Sequence, residues 1–254
     1  QKFLQEAEQG NGFAMQDLGR MLADGLGRDT DMALAQEWYG KALRAFRTEE
    51  ASVKEKQKPY FQYRIGKMYA FGLGTEQNDE QAAYWFSQAA ALGHKYAQYS
   101  LAGLYRCGQG VEQNDMQAFD LYRSSSDQGN PYASLELAKM YQDGLGTKQD
   151  SQQAGRRFQD AYSGFVILEE KNHDDRLQYR IGQMLHTGMG TEPDDERAAG
   201  YWKKSAKLGN INAQYALGKL WLETESGDSS LAVEWLTRAA NADHSSAQYA
   251  LGKL

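Results

Sequence analysis

The sequence predicts an all-α array of antiparallel helix-pair repeats, and three observations predict it. A pair, Leu or Ile followed by Gly or Ala, recurs seven times in 254 residues: Leu18-Gly19, Ile65-Gly66, Leu101-Ala102, Leu137-Ala138, Ile181-Gly182, Leu217-Gly218 and Leu251-Gly252. Five copies are followed by Gly-x-Gly, and an Asp or Asn stands four residues beyond its second glycine. Around every pair the apolar residues recur at helical spacing.

Successive pairs are 47, 36, 36, 44, 36 and 34 residues apart, so the period is 36 with insertions of 11 and 8 and a deletion of 2. Four residues before each pair stands Ala14, Phe61, Ala97, Ala133, Leu177, Ala213 or Ala247. Counted from there, apolar side chains fall at offsets 0, 4, 7 and 8, the stripe of an amphipathic first helix. The two glycines then permit positive φ and turn the chain. The Asp or Asn caps a second helix.

Taken in order, residues 1–12 are the closing turns of a second-type helix, with Phe3, Ala7 and Gly10 in matching positions. Repeat 13–46 stops at Gly25-Leu26-Gly27 and restarts at Asp31, with Ala35 and Tyr39 at four-residue steps. Repeat 60–92 has Gly72-Leu73-Gly74, then Asn78, Ala82 and Phe86; repeat 96–128 has Gly108-Gln109-Gly110, then Asn114, Ala118 and Tyr122. Repeat 132–170 has Gly144-Leu145-Gly146, then Asp150, Ala154 and Phe158; repeat 176–208 has Gly188-Met189-Gly190, then Asp194, Ala198 and Trp202. Repeat 212–243 lacks the glycine turn, yet Asp228, Ala232 and Leu236 keep the register; 246–254 is a first helix without its partner. One helix pair cannot bury its own apolar face, so the reading is a single stacked domain over 1–254.

A longer period overlies the first. Residues 62–105 align with 178–221, and 22 of the 44 positions are identical. Both follow an extended second helix, Ala42 to about Lys58 and Ala161 to about His173, so the chain reads as a duplicated three-repeat module. Polar capping units, an initiator Met and a signal peptide are missing, which predicts a segment of a longer protein.

The pattern Ala-Gln-Tyr-x-Leu-Gly/Ala, Gly-x-Gly-Thr-Glu and Asp/Asn-x-x-x-Ala-x-x-x-aromatic resembles the Sel-one-like repeats (SLR), a branch of the tetratricopeptide class. The resemblance implies a right-handed superhelical solenoid, with first helices lining a concave groove, and a scaffold or adaptor role in protein–protein recognition, often in bacterial signalling. Cysteine-rich secreted members carry a disulfide in each repeat, from which this chain departs with Cys107 alone. The wording of the repeats also resembles arrays attached to mobilisation relaxases of gut Gram-positive bacteria. An accessory region of such a DNA-processing protein is therefore the alternative function.

Composition narrows the classes. With 41% apolar and 24% charged residues the chain can bury a core. Mean hydropathy is −0.74 and no apolar run is long enough for a membrane helix. Net charge −6 argues against direct nucleic-acid contact, and a single cysteine fits a reducing, cytoplasmic setting.

Chemical motifs are wanting. None of His94, His173, His186 and His244 has a second ligand at metal spacing. His94 and His244 stand where other repeats place Asn11, Asn130 and Asn210, and read as turn residues. His173-Asp174-Asp175 reads as a helix start. The Gly-x-Gly turns lack the Lys-Ser/Thr and the strand of a phosphate loop. Ser124-Ser125-Ser126 is a polar run on a second helix, and Cys107 is either an incidental thiol or one tuned by Arg106. No catalytic residue, metal or cofactor is expected, and the protein reads as a non-enzyme.

The inner face of the first helices, away from the packed stripe, remains. Offset 6 holds Arg20, Lys67, Gly103, Lys139, Gln183, Lys219 and Lys253; offset 3 adds Arg64 and Arg180, but also Asp17 and Glu136. Offset 2 holds Tyr63, Tyr99, Tyr179, Tyr215 and Tyr249. Two readings stand side by side: a groove for a protein or peptide partner carrying acidic groups, through Arg20, Tyr63, Arg64, Lys67, Tyr99, Lys139, Tyr179, Arg180, Tyr215 and Lys219, or a solvated basic face with tyrosines packed between repeats. In the second extended helix, Phe165-Val166-Ile167-Leu168 is either an interaction patch or added core.

Overall fold

Asp and Asn side chains start the second helices as their spacing requires. The computed structural model describes residues 2–26, 29–224 and 229–254; the Phe3 side chain, Gly27 and the Asp228 cap lie outside them. The Asp31, Asn78, Asn114, Asp150 and Asp194 side chains accept the N–H of Leu34, Gln81, Gln117, Gln153 and Arg197, at 2.8–3.0 Å. The described residues form helices with no strand: α1 (Lys2–Glu8), α2 (Gly12–Ala23), α3 (Met32–Ser52), α4 (Lys58–Phe71), α5 (Asp79–Ala91), α6 (Lys95–Cys107) and α7 (Asp115–Asp127) come first. Then follow α8 (Pro131–Asp143), α9 (Ser151–Asn172), α10 (Asp175–Thr187), α11 (Asp195–Lys207), α12 (Ile211–Glu223), α13 (Ser229–Asn241) and α14 (Ser245–Leu251). Even-numbered helices are the first helices of the repeats and odd-numbered ones the second. Two compact units divide the chain, Gln1–Gln149 with α1–α8 and Asp150–Leu254 with α9–α14.

Within each unit a helix packs against its neighbours in sequence, which is how a repeat array builds a continuous core from elements too short to stand alone. The glycine of the pair has a steric reason at Gly19, Gly66, Gly182 and Gly218. A Cβ on Gly66 would stand 2.6 Å from the Phe86 ring of α5, and one on Gly182 would collide with the Trp202 indole of α11. Ring and glycine are complementary halves of one contact, which locks α4 to α5 and α10 to α11.

The two extended second helices add core and move the next repeat. Phe46 of α3 and Phe165 of α9 occupy equivalent added turns and are fully buried, each contributing about 1.5–3 kcal/mol of apolar burial. After an ordinary second helix, the next glycine turn lies on its first residue: Gly110 on Asp79 of α5, Gly146 on Asp115 of α7. After an extended one, Gly74 lies on Gly40 of α3 and Gly190 on Phe158 of α9, about two turns further along.

One expectation needs correction. The first extended helix stops at Ser52, short of Lys58: Val53 is extended at φ −78°, ψ 161°, and a 3-10 turn, Glu55–Gln57, leads into α4. The Ser52 hydroxyl donates to the Glu49 carbonyl at 3.1 Å, an alternative to continuing the helix, and Pro59 in the first turn of α4 needs no N–H partner there. The apolar run 165–168 splits: Phe165 is core, Val166 and Leu168 are half-buried and Ile167 is exposed.

Candidate protein-interaction face

In the first unit the candidate residues Arg20 (α2), Tyr63, Arg64 and Lys67 (α4), Tyr99 (α6) and Lys139 (α8) lie on first helices; in the second, so do Tyr179 and Arg180 (α10), Tyr215 and Lys219 (α12). The basic row is not uniform. Asp17 pairs with Arg20 at 3.3 Å, Glu136 with Lys139 at 2.7 Å and Glu223 with Lys219 at 3.6 Å, each from the same helix one turn away. Exposed pairs of this kind are worth a few tenths of a kcal/mol, yet they cancel much of the field a partner would meet.

Lys67 and Arg64 differ. Among the described residues neither has a carboxylate at ion-pair distance; the charges that act on Lys67 are Arg64 and Arg20. Burial, then these two guanidinium groups, holds the Lys67 ammonium below its ordinary range. Its Nζ lies 6.0 Å from the Tyr63 ring centre and 5.9 Å from that of Phe71. Arg64 donates to the Gln16 carboxamide at 2.5 Å and sits over the rings of Phe13 and Tyr60 at 5.3 and 5.5 Å. Three cations on α2 and α4 thus converge among aromatic rings, with Asp17 the one acid paired to them among the described residues.

The tyrosines of the offset-2 row mostly join neighbouring repeats. Tyr63 stacks on His94 at 4.7 Å and touches Phe86, and burial raises its hydroxyl pKa, with a hydrogen bond to Ser100 opposing. Tyr215 stacks on His244 at 4.6 Å. Tyr99 contacts Tyr122 and Tyr132, and the Tyr179 hydroxyl accepts from Gln183 at 3.0 Å. Only Tyr249 of that row, beside Lys253, is largely exposed. His94 and His244 are helix N-caps: each Nδ1 accepts the N–H three residues on, at 3.2 Å, which requires that nitrogen to be unprotonated. Asp174 caps α10, and His173 ends α9 in the left-handed region.

A row that the repeat register contains, and that the packing stripe hides, lies one residue before each stripe. There stand Phe13, Tyr60, Tyr96 and Tyr132 in the first unit, against Arg176, Asn212 and Ser246 in the second. Of these rings Tyr60 is 48% exposed and Tyr96 41%, and Phe71, beside Lys67, is 66% exposed. No group of three His, Cys, Asp or Glu side chains among the described residues could hold a metal, and no helix among them is long and apolar enough to cross a membrane. The serine run is structural: Ser125 donates to the Lys95 carbonyl at 2.7 Å, and Ser126 and Ser134 share a hydrogen bond of 2.8 Å.

Comparison with known proteins places the whole array. The Sel1 repeat pattern matches residues 12–45, 59–94, 95–130, 131–156, 176–210 and 211–244. A Sel1 repeat protein from Oxalobacter formigenes is 27% identical with a TM-score of 0.64, covering 99% of this chain and 68% of that one. A protective antigen of uropathogenic Escherichia coli displaying an SLR fold is 28% identical with a TM-score of 0.57, covering 99% of this chain; the chain spans 58% of that structure. Chitin synthase regulatory factor 3 of Schizosaccharomyces pombe is 28% identical over 85 residues, 32% of this chain and 9% of that protein. The likeness to relaxase-borne arrays finds no support among these relatives.

Proposed function

Because this chain belongs to the Sel1 repeat family, whose members generally mediate protein–protein interaction, we propose that it is a non-enzymatic scaffold or adaptor that holds an acidic protein or peptide segment on its first-helix face. One observation carries the reading: Arg64 and Lys67 stand among aromatic rings, of which Tyr60 and Phe71 are exposed, with no carboxylate of the described residues at ion-pair distance. An arriving carboxylate relieves the mutual repulsion of Arg20, Arg64 and Lys67 and gains charge-assisted hydrogen bonds, while the rings exclude water around it. At Arg20, Lys139 and Lys219 the row already holds its own acids, so these three contribute less.

Affinity capture tests this. Partners retained by the parent chain are expected to persist on a Lys139→Glu/Lys219→Glu variant and to be lost on Arg64→Glu/Lys67→Glu, with a flatter salt dependence for what remains. Equal retention of the same partners by the two double variants overturns the assignment.

A further inference from the structure

The duplication that built this chain kept its packing and changed its face. At the offset of 116 residues, Gln62, Tyr63, Arg64, Ile65, Gly66 and Met68 of α4 recur as Gln178, Tyr179, Arg180, Ile181, Gly182 and Met184 of α10. The retained positions do the same work. Ile65 and Ile181 are fully buried, and Gln62 and Gln178 each donate to a glutamate of the preceding helix, Glu50 at 2.8 Å and Glu169 at 2.9 Å.

Outward positions tell the opposite story. Tyr60, Arg64, Lys67 and Phe71 form one stripe along α4, spaced four, three and four residues apart. Their counterparts on α10 are Arg176, Arg180, Gln183 and Thr187, so two rings and an ammonium have become a guanidinium, an amide and a hydroxyl. On α10 the amide and the hydroxyl are exposed and bonded within their own helix: Thr187 donates to the Gln183 carbonyl at 2.8 Å, and Gln183 donates to the Tyr179 hydroxyl. On the next first helix, α6 against α12, Tyr96 has become Asn212. The two helices share their packing residues, so the difference lies in surface chemistry.

We infer that the first unit carries one specificity site, built by Tyr60, Arg64, Lys67 and Phe71, for a peptide with a large apolar side chain adjacent to a carboxylate, and that the second unit lacks it. This rests on the proposed acidic-segment reading and adds the requirement for an apolar neighbour, the position and the stoichiometry. The carboxylate meets Lys67 and Arg64; the apolar side chain covers Phe71 or Tyr60, whose exposed faces flank the cations.

Isothermal titration of the full chain with three blocked octapeptides tests it: alternating Glu-Leu, octaglutamate, and alternating Lys-Leu. Glu-Leu is expected to bind at one site per chain, about tenfold more tightly than octaglutamate, with Lys-Leu silent. Tyr60→Arg/Lys67→Gln/Phe71→Thr places on α4 the residues already standing on α10, and is expected to weaken Glu-Leu by about tenfold or more. The reciprocal Arg176→Tyr/Gln183→Lys/Thr187→Phe is expected to raise the stoichiometry to two, a gain that no folding defect can mimic. Two sites in the parent chain, an unchanged affinity in the first variant, or no second site in the reciprocal one overturns the inference. If neither acidic peptide binds the parent, the acidic-segment reading itself fails. If octaglutamate binds as well as Glu-Leu, that reading stands and the apolar requirement falls.

Discussion

Gly72 and Gly74 lie in one turn, share the same left-handed backbone and should nonetheless differ sharply on substitution by alanine. Both have positive φ, +62° and +70°, which costs an L-residue about 1–2 kcal/mol. A Cβ on Gly72 would meet the nearest backbone atoms at 3.3 Å, so strain is its main cost. On Gly74 it would fall on the α3 backbone at Tyr39 and Gly40, which has no side chain to rotate aside. The turn must then lift off α3 by roughly 1 Å, adding about 1–3 kcal/mol of overpacking. It also loosens the 2.6 Å hydrogen bond that the Gly74 N–H donates to Gln36, for about 1 kcal/mol more. We therefore expect about 1–2 kcal/mol for Gly72→Ala and about 3–6 for Gly74→Ala. Urea unfolding gives the totals, and hydrogen exchange should show α3 and α4 deprotected in Gly74→Ala. Gly93→Ala, at φ +83° with nothing within 4 Å of the new methyl, is the control for strain alone. If Gly74→Ala costs no more than Gly93→Ala, the turn is not a backbone-on-backbone contact.

Two further outcomes follow from the caps. Burial lowers the His94 pKa, a backbone hydrogen bond opposing it and Lys95 adding to it, so the neutral cap is favoured in the folded state; its contribution is complete above the ordinary histidine pKa near 6.5 and fades as pH falls from there through the folded value. His94→Asn should keep its cap in acid and reduce the stability lost between pH 7.5 and 5 by about 1 kcal/mol, read from urea midpoints at the two pH values; an unchanged pH dependence would refute the role of Nδ1. Asn130 is fully buried, accepts the Tyr132 N–H and donates to the Ser125 hydroxyl at 2.9 Å, so Asn130→Ala should cost about 1–3 kcal/mol, against less than about 1 for Asn11→Ala at an exposed cap. Comparable losses in a thermal or urea series would show that burial does not set the cost.

The asymmetry between the basic positions has a simple electrostatic cause. Arg20 and Lys139 each have an acid three residues earlier on the same helix, and Lys219 has one four residues later, so their fields are closed locally. Lys67 has Arg64 at the first of these positions and Phe71 at the second, a repulsive and an apolar neighbour. A partner able to supply the missing negative charge gains most there.

Helix starts, glycine stops, the repeat period and the amphipathic stripe were all legible in the order of residues, because each depends on contacts within about one turn. Asn78 caps the helix it precedes whatever surrounds it, and Gly72 turns the chain by its own freedom of φ. Which members of the basic row remain available, and whether Tyr63 faces a partner or a neighbouring repeat, depended on side chains brought together from different repeats. Gln16 reaches Arg64 across 48 residues of sequence, and the His94 ring that Tyr63 covers belongs to the next cap along. The end of α3 at Ser52 and the two-turn displacement of the repeats behind α3 and α9 were likewise settled by packing. Local patterns specify helices one at a time; how their faces are shared among neighbours is fixed only when the helices stack and each side chain meets groups distant in sequence.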